Sequence, residues 1–152
     1  GGIEKDYESG AICYDPANHE RMVGVRAGKI EGIVEDIPPS VVQGSELGEV
    51  LVIGWGSTYG PLTEAVARLN GEGHAVGHLH LRWLNPLPPD LDKMMRRFKR
   101  VLVVETNLGQ LVRIIRDRFL VDAVPVSKVA GQPFKVRELV ELLRSAAVEA
   151  AA

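Results

Sequence analysis

Residues 50–53, Val-Leu-Val-Ile, form an unbroken apolar run that closes at Gly54. The run is too short for a typical helix and rich in β-branched side chains, the pattern of a strand buried on both faces of a parallel sheet. Gly54 and Gly56 then allow a sharp turn, and Leu62, Ala65, Val66 and Leu69 recur at helical spacing. Pro61 suits the first turn of that helix, where its missing N–H costs nothing. Gly71 follows the last periodic residue, where a C-cap is expected. This unit of strand, glycine turn and helix is then repeated. In residues 74–81, Ala75, Gly77, Leu79 and Leu81 alternate with Val76, His78 and His80, the period of a strand. Pro86, Pro88 and Pro89 stiffen a loop, and Asp90 is placed to cap a helix through Met94, Met95 and Phe98. Residues 100–105 hold a second apolar run, Val101 to Val104, and read as another buried strand. Residues 108–120 are helical with Leu111, Ile114, Ile115 and Phe119 on one side. Residues 123–129 form a short strand whose Pro125 favours a sheet edge. Residues 136–147 close the chain as a helix with Leu139, Val140, Leu142 and Leu143 as its stripe.

The first forty residues follow a different pattern. Residues 1–14 are polar, with turn formers at Asp6, Ser9 and Gly10, and read as a loop or arm. Asp15-Pro16 starts a helix carried over residues 18–35. Its apolar residues, Met22, Val23, Val25, Ile30, Ile33 and Val34, are sparse. Gly24, Gly28 and Gly32 each weaken it by about 1 kcal/mol relative to Ala. Such a helix needs a surface to lie against, which suits a connecting helix that leans on a neighbouring domain. Pro38-Pro39 ends it, and residues 40–43 are read as a short edge strand. The alternation of strands and helices predicts an α/β three-layer sandwich with a mainly parallel sheet.

Composition narrows the function classes. A chain of 152 residues is one domain's worth, with a core large enough to be stable alone. Charged residues at 25% and hydrophobic ones at 45% are ordinary for a globular protein. A net charge of −2 supplies no global attraction to nucleic acid or membrane. No apolar run approaches a transmembrane helix, and no basic-then-apolar signal peptide opens the chain. Cys13 is the only cysteine, which excludes an intramolecular disulfide and fits a reducing, cytoplasmic setting. The opening Gly-Gly-Ile-Glu lacks an initiator Met, as expected of a piece of a longer protein or of a tag remnant.

Two turns carry the candidate chemistry. Gly54-Trp55-Gly56-Ser57-Thr58 leads towards a helix N-terminus, where backbone N–H groups can cradle a phosphate. It lacks the G-x-G-x-x-G fingerprint and the P-loop lysine, so a tight, closely packed turn is the first reading. Glu105-Thr106-Asn107-Leu108-Gly109-Gln110 places a carboxylate and amides at the end of a buried strand, good recognition residues and poor core residues. Asn107 is expected to cap the following helix as well. His74, His78 and His80 share one face of a regular strand, but no Cys or carboxylate is near enough in sequence to complete a zinc site. Structural histidines are the preferred reading. The basic run Arg96-Arg97-Phe98-Lys99-Arg100 complements a helix C-terminus, with docking of an anionic partner as the alternative. Cys13 has no His or Lys that clearly activates it. Spacing alone supports no Ser-His-Asp set and no carboxylate pair.

Three stretches together resemble one family: residues 50–61 (Val-Leu-Val-Ile-Gly-Trp-Gly-Ser-Thr-Tyr-Gly-Pro), 84–88 (Leu-Asn-Pro-Leu-Pro) and 103–111 (Val-Val-Glu-Thr-Asn-Leu-Gly-Gln-Leu). The chain is similar to the α subunit of the 2-oxoacid:ferredoxin oxidoreductases, most closely the 2-oxoglutarate type. Gly2-Ile3-Glu4-Lys5-Asp6, Asp15-Pro16, His19, Met22, Arg26 and Lys29 extend the resemblance through the arm. The family carries His where this chain has Lys5, so no role is transferred there. The resemblance implies the carboxyl-terminal part of a longer subunit, with a transketolase C-terminal-like fold. Residues 1–39 would be an arm and connecting helix, and residues 40–152 the α/β domain. The implied sheet has five strands in the order 1-3-2-4-5, the first an antiparallel edge.

The whole enzyme would use thiamine diphosphate, Mg²⁺ and an iron–sulfur cluster to convert a 2-oxoacid to acyl-CoA and CO₂, passing electrons to ferredoxin. The diphosphate and Mg²⁺ motif belongs to the β subunit, and no matching Gly-Asp-Gly…Asn stretch exists here. This piece is therefore expected to bind no cofactor or metal and to contribute no catalytic residue. Its expected partners are the β subunit, the rest of the α subunit and, through the complex, ferredoxin, with a homodimer left open. The expected contact surface is a crevice between the two turns, formed by Gly54, Gly56, Ser57 and Thr58 facing Glu105, Asn107, Gly109 and Gln110. The competing function class is a free-standing nucleotide- or anion-binding α/β module, supported by the glycine turn alone.

Overall fold

The structure is a computed structural model and describes residues 3–151. Helix α1 (Pro16–Glu31) begins as Asp15-Pro16 predicts. The Asp15 carboxylate accepts from the Ala17 N–H, and Pro16 takes the first turn, where no donor is needed. A 3-10 turn over Gly32–Asp36 carries the chain to Pro38-Pro39. The stretch ahead of α1 is more ordered than a plain loop. Lys5 bridges to Ile12, and the Asp6 carboxylate accepts from the N–H groups of Glu8 and Ser9 and from the Ser9 hydroxyl. Glu4 ties this turn to α1 through His19 at 2.8 Å and Arg26 at 3.0 Å. Helix α1 itself buries only Asn18, leaving Val23, Val25 and Ile30 exposed, as is Ile33 in the turn after it.

The sheet comprises β1 (Val42–Gly44), β2 (Gly48–Trp55), β3 (Val76–Leu81), β4 (Phe98–Glu105) and β5 (Ala123–Ser127). Their order is β1-β3-β2-β4-β5, with β1 antiparallel and the rest parallel, as the resemblance implies. Pro125 lies on the β5 edge, where its missing N–H breaks no ladder. The two apolar runs are neighbours in the middle of the sheet, Val52 beside Leu102 and Ile53 beside Val103. Each run therefore feeds both faces.

Val50, Val52, Leu102, Val104 and Val126 pack under α2 (Tyr59–Gly71) and α5 (Val136–Ala151). Leu51, Ile53, Leu79, Val101 and Val103 pack under α3 (Leu91–Met95) and α4 (Gln110–Phe119). The result is three layers, with each fully buried aliphatic side chain contributing about 1.5–3 kcal/mol.

Several local expectations are corrected. Gly71 is the last residue of α2 rather than its cap, and the left-handed position after the helix falls to Gly73, at φ +93°. Asp90 takes the N-cap position of α3, but its side chain makes no cap hydrogen bond. Its carboxylate accepts from the Ser40 N–H at 2.8 Å and the Ser40 hydroxyl at 2.6 Å, tying the chain ahead of β1 to the proline loop. Helix α3 ends at Met95, and Phe98 opens β4 because its ring is needed in the core. Ile114 and Leu142, both expected inside, are exposed, while Val112, Ala146 and Ala147 are buried instead. The Ala-rich tail continues α5 as far as Ala151.

Candidate functional site

The turns leaving β2 and β4 come together, since Gly54 pairs beside Val104. Gly54 is required by close approach. A Cβ there would lie 2.4 Å from Leu62 Cδ1 and 2.6 Å from Thr58 Oγ1, so α2 could not seat against the strand end. Gly56 follows with φ +58°, in the left-handed region open to glycine. The Thr58 hydroxyl then closes the turn on itself, accepting from the Trp55 N–H at 3.0 Å and donating to the Trp55 carbonyl at 2.9 Å. Ser57 and Gly56 remain exposed.

Across the crevice, Glu105 is only 1% exposed. Its carboxylate accepts from the N–H groups of Leu111 (2.9 Å) and Val112 (3.1 Å), in the first turn of α4, and from Asn107 Nδ2 (3.1 Å). The Trp55 indole N–H, 50 positions away in sequence, reaches the same carboxylate at 3.4 Å. Asn107 caps as expected, its Oδ1 accepting from the N–H groups of Gly109 (2.8 Å) and Gln110 (3.0 Å). Gly109 sits at φ +79° just ahead of α4. A helix N-terminus is a natural anion site, and here the chain's own carboxylate fills it. Groups that the sequence offered for recognition are therefore occupied internally. The outward rim consists of Ser57, Thr106, Gln110 and Leu108, the last 76% exposed.

The other flagged residues separate. His78 and His80 share the α2 face of β3 with ring centroids 5.7 Å apart, whereas His74 precedes the strand and lies beside Glu49. Among the described residues no three metal-ligating side chains converge. His78 is fully buried, and that burial, followed by the charge of His80, pushes its imidazole down to about 4. The Tyr59 ring packs against both histidines, and the Thr63 hydroxyl lies 3.4 Å from His78 Nδ1. Burial first, then the Arg82 charge, holds His80 below the ordinary imidazole value.

The basic run is split between the end of α3 and β4. Arg96 pairs with Asp92, Arg100 pairs with Glu149, and Lys99 donates to the Ala150 carbonyl. Cys13 is half-buried in the turn before α1. Sequence reasoning missed Tyr59, Thr63 and Gln43 around the histidines, because β1 and α2 reach β3 only through tertiary packing.

The family model for the pyruvate:ferredoxin oxidoreductase core domain II matches residues 48–139. The chain is 44% identical over 147 residues to the 2-oxoglutarate oxidoreductase subunit KorA of Mycobacterium tuberculosis, covering 96% of this chain and 22% of that protein. It is 38% identical over 148 residues to the 2-oxoacid:ferredoxin oxidoreductase 1 subunit alpha of Aeropyrum pernix, covering 92% of this chain and 23% of the relative. Among solved structures, the 2-oxoglutarate:ferredoxin oxidoreductase from Magnetococcus marinus, with 2-oxoglutarate, coenzyme A and succinyl-CoA bound, matches at TM-score 0.86 and 34% identity. That match covers 96% of this chain and 26% of the larger one. A split gene transketolase, as an inactive beta4 tetramer, matches at TM-score 0.56 and 20% identity over 74% of this chain and 43% of that one, a likeness of fold alone.

Proposed function

The chain belongs to the 2-oxoacid:ferredoxin oxidoreductase family, and we propose that it serves there as an assembly domain of the α subunit. In this reading it packs subunits together and shapes the approach to the active site without supplying a catalytic group. The chain spans about a fifth to a quarter of the length of the relatives described above. The whole enzyme, in the same proposal, decarboxylates a 2-oxoacid, 2-oxoglutarate as the names of two of its relatives suggest, on thiamine diphosphate and Mg²⁺. Electrons leave through an iron–sulfur cluster to ferredoxin, and the acyl group leaves on coenzyme A. The β subunit and the rest of the α subunit are the partners proposed for this chain, with residues 1–39 acting as arm and connector to the α/β unit.

The occupied carboxylate of Glu105 carries the non-catalytic reading. A diphosphate needs free N–H donors at a helix start, and the α4 N–H groups at this switch point are already bonded to Glu105 and Asn107. A four-thiolate cluster needs more than the lone Cys13. The α4 start does not fit the first group, and the cysteine count does not fit the second. The same observation weighs against an anion at the α4 side of this crevice.

The test compares the 152-residue chain with the complete α–β enzyme. The expected result is 2-oxoacid-dependent ferredoxin reduction by the enzyme, and neither turnover nor calorimetric thiamine diphosphate binding by the chain. Tight, Mg²⁺-dependent binding by the chain alone would overturn the proposal.

A further inference from the structure

Strand β1 pairs only with Gly77–Leu79 of β3, so the last residues of β3 run on without a neighbour at that edge. A cavity of about 210 Å³ opens there, between the chain ahead of β1, the start of α2 and the chain leaving β3. Its polar lining differs from that of the crevice between the β2 and β4 turns. The His80 imidazole makes no hydrogen bond to any described residue, and its Nδ1 is buried without a partner. Buried polar atoms are nearly always paired, and each exception needs a reason. The Arg82 guanidinium pairs with no acid among the described residues, and the Trp83 indole N–H reaches no acceptor among them. The Tyr59 hydroxyl accepts from Gln43 Nε2 at 2.9 Å and keeps its own proton to donate. The Asp90 carboxylate, behind Ser40, is held by the Ser40 N–H and hydroxyl.

Four donor-bearing side chains thus line one small cavity, and no acid among the described residues pairs with any of them. We propose that this cavity, at the open end of β3, binds a small organic carboxylate. Arg82 would supply the planar fork that matches a carboxylate, with His80 and Tyr59 donating alongside. Pro39, Val41 and the Trp83 ring provide apolar walls for a carbon body. The volume falls below the roughly 300–1,000 Å³ of drug-sized pockets, so the ligand is a short acid rather than a nucleotide. The site is separate from the crevice between the β2 and β4 turns and does not depend on the assembly reading.

The test is an NMR titration of the 152-residue chain with succinate, glutarate, inorganic phosphate and, as a neutral body of similar shape, succinamide. The expected result is saturable shifts of the Trp83 indole and His80 ring resonances with a dicarboxylate and none with succinamide. Arg82→Gln, a change at an exposed side chain, is expected to weaken binding by about tenfold. Arg97→Gln, at an exposed cation elsewhere, leaves it unchanged. Three results would overturn the proposal: no saturable shift with either dicarboxylate, equal response to phosphate, or equal loss in both arginine variants.

Discussion

A carboxylate at the end of a buried strand must find donors before it can leave water, and Glu105 finds three at normal distance and a fourth at 3.4 Å. The residue type was legible as unusual in the sequence. Its role was not, because the Leu111 and Val112 N–H groups become neighbours only once α4 forms. Glu105→Ala leaves those donors without an acceptor and is expected to lower stability by about 2–3 kcal/mol, read from the urea midpoint. A mutant that unfolds like the parent but fails to assemble would return Glu105 to recognition.

His78 gives a second prediction at this scale. Burial holds it near 4 in the folded chain, against 6.5 unperturbed. Below pH 6.5 the unfolded chain takes up a proton that the folded chain refuses, so stability present at neutral pH is lost as pH falls towards 4. At about 1.4 kcal/mol per unit, the loss approaches about 3 kcal/mol. Urea unfolding of parent and His78→Gln at pH 7 and pH 4.5 isolates this contribution, since the other titrating groups remain in both chains. Parallel losses in the two proteins would contradict it.

At the scale of elements, the two central strands were legible because β-branched runs of four apolar residues suit only a strand covered on both sides. Helix faces were less legible. Ile114 and Val112 are both apolar and lie two positions apart, and only the packing of α4 on β4 and β5 decides which one is buried. Phe98 fits a helical period with Met94 and Met95, yet it begins a strand because the chain turns after Met95.

Helix α1 is the opposite case, with a start written clearly in Asp15-Pro16 and no face to bury. Short helices gain most of their stability from packing, and α1 buries only Asn18. Its amides are expected to exchange much faster than those of β2 in hydrogen-exchange mass spectrometry of the monomeric chain. Glu4→Gln removes the carboxylate that ties the leading turn to His19 and Arg26, and should accelerate exchange across residues 3–14. Uniformly slow exchange along α1 in a monomer would show that the helix is stable unaided.

Across the whole molecule, strand order could not be read from periodicity, since a buried run does not say which run lies beside it. The order followed from the family resemblance, and with it the meeting of two turns 50 residues apart. Once the crevice has formed, its buried groups and its rim have different duties. Glu105, Asn107 and Thr58 hold the strand ends and the α4 start in place. Leu108, 76% exposed, stands on the rim with Gln110, Thr106 and Ser57 and contributes nothing to the core. An exposed leucine beside exposed polar groups suits a surface that meets protein, with an apolar contact at its centre and a polar margin.

Two double replacements separate these duties. Asn107→Ala with Gln110→Ala removes a cap and should cost about 1 kcal/mol in the isolated chain. Leu108→Glu with Gln110→Ala touches only the rim, so its urea midpoint should match the parent's. If the rim meets the β subunit, the rim pair weakens co-purification of β with the full α subunit while the domain stays folded. Intact assembly with the rim pair would move the contact elsewhere, and the exposed Val23, Val25, Ile30 and Ile33 of α1 and the turn after it would be the next surface to replace.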